Sequence, residues 1–183
     1  MSNKIRQMTL CALMAALMCI LGPLSIPIGP IPISLTGLVV YLTIYILGTR
    51  EAFVSYVVYL LLGAVGLPGF SGFSGGIAKL AGPTGGYLVG YIFTIFICGL
   101  IVEKTERKLI STFLGMMLGT VVAYLFGTVW FVIQADATVG YALTVCVLPF
   151  IPFDLGKMGI AIGLGKAVRA ALFKSRLLGS LRE

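Results

Sequence analysis

The sequence predicts an all-α membrane protein of six transmembrane helices, and three observations carry that prediction. Of 183 residues, 59% are hydrophobic and only 10% charged, with mean hydropathy +1.10. A soluble domain with so few charges would expose large apolar patches. The apolar residues gather into six segments, at about 8–21, 33–48, 52–67, 87–102, 109–133 and 141–164. Backbone groups in hydrocarbon must be satisfied within their own segment, so helices are the natural form, and no segment shows the alternation of a membrane β-barrel. The basic residues then give an orientation. With the amino terminus inside, Lys4, Arg6, Arg50, Lys104, Arg107, Lys108, Lys166, Arg169, Lys174, Arg176 and Arg182 all fall on the cytoplasmic side. The outer side keeps only Lys79, with Lys157 at membrane depth. That split is a strong positive-inside signal and predicts both termini in the cytoplasm.

Taken in order, Lys4 and Arg6 ahead of Leu10–Leu21 resemble the charged and apolar regions of a signal peptide. Gly22-Pro23 and a proline-rich stretch follow in place of a small-residue cleavage site, so an uncleaved first span is expected. The first outer connection, Gly22 to Pro32, holds Pro23, Pro27, Pro30 and Pro32, which preclude a regular helix and stiffen the loop. The second and third spans meet across the short inner turn Thr49 to Glu51. Next comes the second outer connection, Leu67 to Gly86, reading L-P-G-F-S-G-F-S-G-G-I-A-K-L-A-G-P-T-G-G. Its glycines permit close backbone approach, and Phe70 and Phe73 give it apolar anchors. A glycine-rich loop of this length, with no evident secondary structure, suits a lid or a binding loop between helices 3 and 4. Glu103 to Lys108 joins the fourth and fifth spans on the inner side, and the sixth span carries Pro149 and Pro152. The whole chain, 1–183, reads as a single membrane domain.

Several function classes drop out. Histidine is absent, which removes the usual general base and the commonest metal ligand. Cys11, Cys19, Cys98 and Cys146 stand singly in apolar runs, which suits packing and gives neither a metal site nor a disulfide framework. The net charge of +7 lies where topology needs it, so no nucleic-acid partner is implied. Four small-residue spacings, Ala12-x-x-x-Ala16, Gly86-x-x-x-Gly90, Gly115-x-x-x-Gly119 and Gly159-x-x-x-Gly163, suit close helix packing.

Chemistry concentrates in the sixth span. Asp154 and Lys157 lie one turn apart on a common helix face, just past Pro152, in hydrocarbon-like surroundings. Ionising both there is expensive, so such charges neutralise each other, line a wet cavity or meet a ligand. Ser34, Thr36, Thr84 and Gln134 are polar groups expected at the same side, and Phe150, Phe153, Phe70 and Phe73 can supply an apolar pocket. Asp154 accepts from N–H donors, whereas Lys157 offers charge and donors to an acceptor or carboxylate. An apolar ligand with an N–H/C=O head group and a carboxylate would satisfy both.

Leu67 to Gly76 (L-P-G-F-S-G-F-S-G-G), Gly82 to Tyr87 (G-P-T-G-G-Y) and Pro149 to Lys157 (P-F-I-P-F-D-L-G-K) resemble the BioY family. These are biotin-specific substrate-binding (S) components of energy-coupling factor (ECF) vitamin transporters, and the resemblance covers essentially the whole chain. It implies a six-helix protein in the plasma membrane of a prokaryote that captures biotin from outside. It further implies a transmembrane coupling protein and two ATP-hydrolysing subunits as partners, besides membrane lipid. Biotin's ureido ring and valerate carboxylate fit the ligand described above. The resemblance assigns Asp154 and Lys157 to the polar core of the site and Gly82, Thr84 and Tyr87 to its loop wall, with Phe70 and Phe73 as loop contacts. Ala12 and Ala16 match the stripe with which S components dock on the coupling protein. No cofactor is implied, biotin being the cargo. A membrane-embedded hydrolase lacks its nucleophile–base pair here. An ion- or proton-coupled secondary transporter has only Asp136 and Asp154 for a relay. With no G-x-x-x-x-G-K-[ST] loop, ATP use requires a partner.

Overall fold

A computed structural model describes residues 3–175, so Arg176 and Arg182 lie outside the described residues. The chain runs α1 (Asn3–Leu21), β1 (Ser25–Ile26), β2 (Ile33–Ser34), α2 (Thr36–Leu47), α3 (Thr49–Ala64), α4 (Ile77–Ala81), α5 (Gly85–Lys104), α6 (Leu109–Ala135), α7 (Val139–Cys146) and α8 (Phe150–Lys174). Every predicted span contains a helix. By length and composition, α1, α5 and α6 can each cross a membrane, and α7 with α8 can form a fourth span bent by 43°. That is three or four spans by this measure where six were expected.

The shortfall has a physical reason. α2 has 12 residues, about 18 Å at 1.5 Å per residue, against about 30 Å of hydrocarbon. All of them except Leu38 are buried, and the helix packs on α1, α3, α5 and α8. A helix apolar all round is a core element. Surrounded by protein, it has no lipid-facing backbone to cover. α3 is also short at 16 residues, and Arg50 and Glu51 open it.

The α2–α3 corner is held by charge at both helix ends. Gly48 turns the chain at φ 104°, where a Cβ would meet the Glu103 carboxylate. Glu103 Oε1 accepts from the Thr49 amide at 2.6 Å, at the start of α3. Arg107 Nε donates to the Tyr45 carbonyl at 3.0 Å, and Arg169 donates to the Ile46 carbonyl at 2.5 Å. An anion at a helix start and cations at a helix end are the favoured arrangement.

α5 and α6 form the most extensive helix pair, and glycine makes it possible. A Cβ on Gly86 would meet Trp130, one on Gly90 would meet Ala123, and one on Gly119 would meet Thr94. The Gly86/Gly90 and Gly115/Gly119 spacings are therefore internal packing. Gly159 and Gly163 face open space instead. The four cysteines are free, and Cys11, Cys98 and Cys146 are buried.

Three segments differ from expectation. The predicted span 141–164 is broken at 147–149, because Pro149 at the start of α8 has no N–H to continue α7. The first connection, expected to be irregular, supplies one strand of an antiparallel hairpin, and the other strand takes Ile33 and Ser34 from the start of the predicted second span, with Ser25 opposite Ser34 and Ile26 opposite Ile33. The second outer connection has structure of its own: a Phe70↔Ser74 bridge and the short helix α4. Its last residues, Gly85 and Gly86, already belong to α5.

Candidate functional site

The break before α8 puts Asp154 in the second turn of that helix and Lys157 one turn further, both facing inward. They are 5% and 7% exposed, and Lys157 Nζ donates to Asp154 Oδ1 at 2.8 Å. The second carboxylate oxygen is also occupied. Tyr124 of α6 donates its hydroxyl to Asp154 Oδ2 at 2.6 Å. The carboxylate thus holds one partner on its own helix and one across the bundle.

These groups form part of the wall of a cavity of about 60 Å³. The hairpin region lends Ile31, Pro32, Ser34 and Thr36, and α3 lends Tyr59. The second loop gives Phe70, Ser71 and Thr84, and α5 gives Tyr87, Leu88 and Tyr91. From α6 come Thr120, Ala123 and Tyr124, and from α8 come Phe150, Asp154 and Lys157. The mixture is mostly apolar and aromatic with a few placed polar groups, as small-molecule sites are usually made.

Local packing explains how the loop residues reach it. Phe70 is buried at 1% exposure because α3 carries Gly63 beneath its ring, and it meets Tyr59 edge-on at 5.4 Å. Tyr59 donates to the Gly69 carbonyl at 3.1 Å, fixing the loop to α3. Tyr91 lies against α2 at Gly37, where a Cβ would strike its hydroxyl. Thr84 immediately precedes α5, and its hydroxyl is buried without a hydrogen-bond partner among the described residues. A helix start is favourable ground for an anion.

Of the residues picked from the sequence, Asp154, Lys157, Thr84, Tyr87, Phe70, Ser34, Thr36 and Phe150 come together at this cavity. Others do not. Gly82 is absent from the lining, and its carbonyl accepts from Trp130 Nε1 at 2.9 Å, a contact that ties the loop to α6. Gln134 is used the same way, donating to the Ala81 carbonyl at 2.9 Å. Phe73, 67% exposed, and Phe153 line a separate groove of about 700 Å³ between the hairpin and α8, which Lys157 also touches. Ala12 and Ala16 are exposed on the outside of α1, far from any role in the core. Sequence reading missed Tyr59, Tyr91, Thr120 and Tyr124. Each stands in an apolar helix, and only its tyrosine or threonine identity hinted at a polar partner.

Comparison with known proteins completes the picture. Residues 1–174 match the BioY family. Among curated relatives, Biotin transporter BioY2 of Lactococcus lactis subsp. cremoris is 34% identical over 93% of this chain and 94% of its own. Biotin transporter BioY of Thermotoga maritima is 37% identical over 85% of this chain and 91% of its own. Among solved structures, the crystal structure of the S-component for biotin from an ECF-type ABC transporter superposes with a TM-score of 0.85 at 30% identity. It covers 93% of this chain and 95% of that one.

Proposed function

The chain belongs to the BioY family, and from that premise we propose that it captures biotin for uptake as the S component of an ECF-type ABC transporter. The observation that carries the reading is the buried Asp154–Lys157 pair in the wall of the cavity. A ureido ring presents N–H donors beside a carbonyl acceptor, and a carboxylate beside an ammonium presents the complementary set. Asp154 accepts from one ureido N–H and Lys157 donates to the carbonyl oxygen beside it. Thr84, with its unpartnered hydroxyl at the start of α5, receives the valerate carboxylate. Phe70, Tyr87 and Phe150 cover the apolar middle of the ligand. The protein contributes binding and orientation, and the energy for release comes from ATP-hydrolysing partners.

The same reading takes α2 and α3 as the second and third of six spans, with both termini in the cytoplasm of a prokaryote and the cavity toward the outside. Ala12 and Ala16, exposed on α1, support docking on a transmembrane coupling protein bound to two ATPase subunits.

The test is calorimetry on purified protein with biotin, an analogue lacking the ureido N–H groups, and the Asp154→Asn/Lys157→Met double variant. One biotin binds per chain, and the analogue binds much less well, since a buried acceptor left without its donor costs about 1–3 kcal/mol. A buried pair that only neutralises itself can be replaced by uncharged residues without loss. The double variant is therefore expected to fold, with a melting temperature that biotin no longer raises. Wild-type affinity in the double variant would leave the pair as a structural ion pair and overturn the assignment.

A further inference from the structure

Tyr124 is the residue that the buried ion pair leaves unexplained. Lys157 alone neutralises Asp154, yet a second, short bond arrives from α6, thirty residues away in sequence, onto the other carboxylate oxygen. A lysine ammonium sits on a flexible stem and fixes a carboxylate as a point charge does, without setting its plane. A tyrosine hydroxyl on a rigid ring gives a direction. With one bond on each oxygen, two of the roughly four lone-pair sites of the carboxylate remain. Tyr124 lies on the cavity side of α6, and it also lines an apolar groove of about 550 Å³ between α6, α7 and α8. Without this hydroxyl, nothing from α6 bonds Asp154 on the side where the cavity adjoins that groove.

We infer that Tyr124 is a positioning residue for ligand selectivity: it holds Asp154 so that a free carboxylate lone pair faces the cavity, ready for one ureido N–H donor. It touches the carboxylate and acts through it. This rests on the biotin reading above, and the experiment separates the two. Binding of biotin, and of biotin methylated on either ureido nitrogen, is measured for the wild-type protein and for Tyr124→Phe, with ligand-free melting temperatures alongside. The wild type prefers biotin over the form methylated on the nitrogen that faces Asp154, which is the form bound less well. Tyr124→Phe folds and weakens biotin on the order of tenfold, as expected for the loss of a hydrogen bond to a charged group. It weakens that methylated form by much less, so the preference shrinks. An equal loss for all three ligands would make Tyr124 a shape-filling wall residue and overturn the inference. So would an unchanged preference, or a Tyr124→Phe chain that no longer folds, which would assign the bond to stability. A wild-type protein that does not discriminate would overturn the ureido assignment itself, whatever Tyr124 does.

Discussion

Thr84 is nine-tenths buried, and its hydroxyl oxygen has no partner among the described residues. A buried, unsatisfied hydroxyl costs about 1–3 kcal/mol, so Thr84→Val should leave ligand-free stability unchanged or slightly raised. The same change should weaken biotin by about tenfold. Melting curves with and without biotin read both effects, and undiminished binding would remove Thr84 from the site. Gly63 tests the opposite kind of residue, since a Cβ there falls within the ring of Phe70. Gly63→Ala should cost about 1–3 kcal/mol as an overpacked contact and displace a cavity wall. A melting temperature unchanged by the substitution would mean that the Phe70 ring yields freely. At this scale the sequence was most legible where it broke its own pattern. Charges in an apolar run cannot be neutral decoration, so Asp154 and Lys157 stood out. Tyr59, Tyr91 and Tyr124 did not, because tyrosine in an apolar helix is ordinary and its partner lies on another element. Phe73 and Phe70 share a loop and a residue type, and only the glycine beneath Phe70 separates a buried ring from an exposed one.

The small elements of the chain carry distinct tasks. α1 exposes Ala12 and Ala16 on its outer face, where a small stripe permits close approach of another helix. Ala12→Trp or Ala16→Trp should leave biotin binding intact while abolishing ATP-driven uptake, measured with labelled biotin in proteoliposomes of the assembled transporter. Loss of binding along with uptake would return the stripe to internal packing. At the α2–α3 corner, Glu103→Ala removes the acceptor for the Thr49 amide. The loss of such a cap costs about 0.5–2 kcal/mol, which thermal unfolding in detergent measures. The existence of these helices was legible from apolar runs, since each of the six segments holds at least one, the last holding most of α7 and the first part of α8. Their extents were less so. The break at Pro149 and the short β1–β2 pairing depend on where neighbouring elements lie, which hydropathy does not record. α2 reads like any apolar segment, and its central position follows only from the four helices around it.

At the scale of the whole molecule, protection from exchange should follow burial. α2 is buried on nearly every side, so its amides should be the last to exchange with solvent deuterium, and the hairpin and the second loop the first. Exchange in α2 as fast as in the hairpin would contradict its place at the centre. The charge asymmetry makes a second prediction at this scale. Cysteines placed at the exposed positions Lys108 and Phe73 should react with impermeant reagents from opposite sides of the membrane, Lys108→Cys from the inside. The class of fold was legible because it follows from composition alone. The arrangement around the cavity was not, because it gathers residues from the hairpin and the start of α2, from the second loop, and from α3, α5, α6 and α8.

The strand β2 and its flanks form a partition one residue thick. Pro32, Ser34 and Thr36 line the inner cavity, while Ile33 and Leu35 line the larger outer groove, the alternation that a strand imposes. The cavity and the larger groove are therefore separated by a wall pinned through the two β1–β2 pairs and the Leu35 amide, which donates to the Leu24 carbonyl at 3.2 Å. A molecule leaving the cavity on this side would have to part that wall, so its residence time should follow the rate at which the wall opens. Pro27 and Pro30 stiffen the turn of the hairpin and do not line the cavity, so they should slow that opening without contacting the ligand. Replacing both by glycine should quicken arrival and departure together, so that stopped-flow rates rise in parallel while the equilibrium constant scarcely moves.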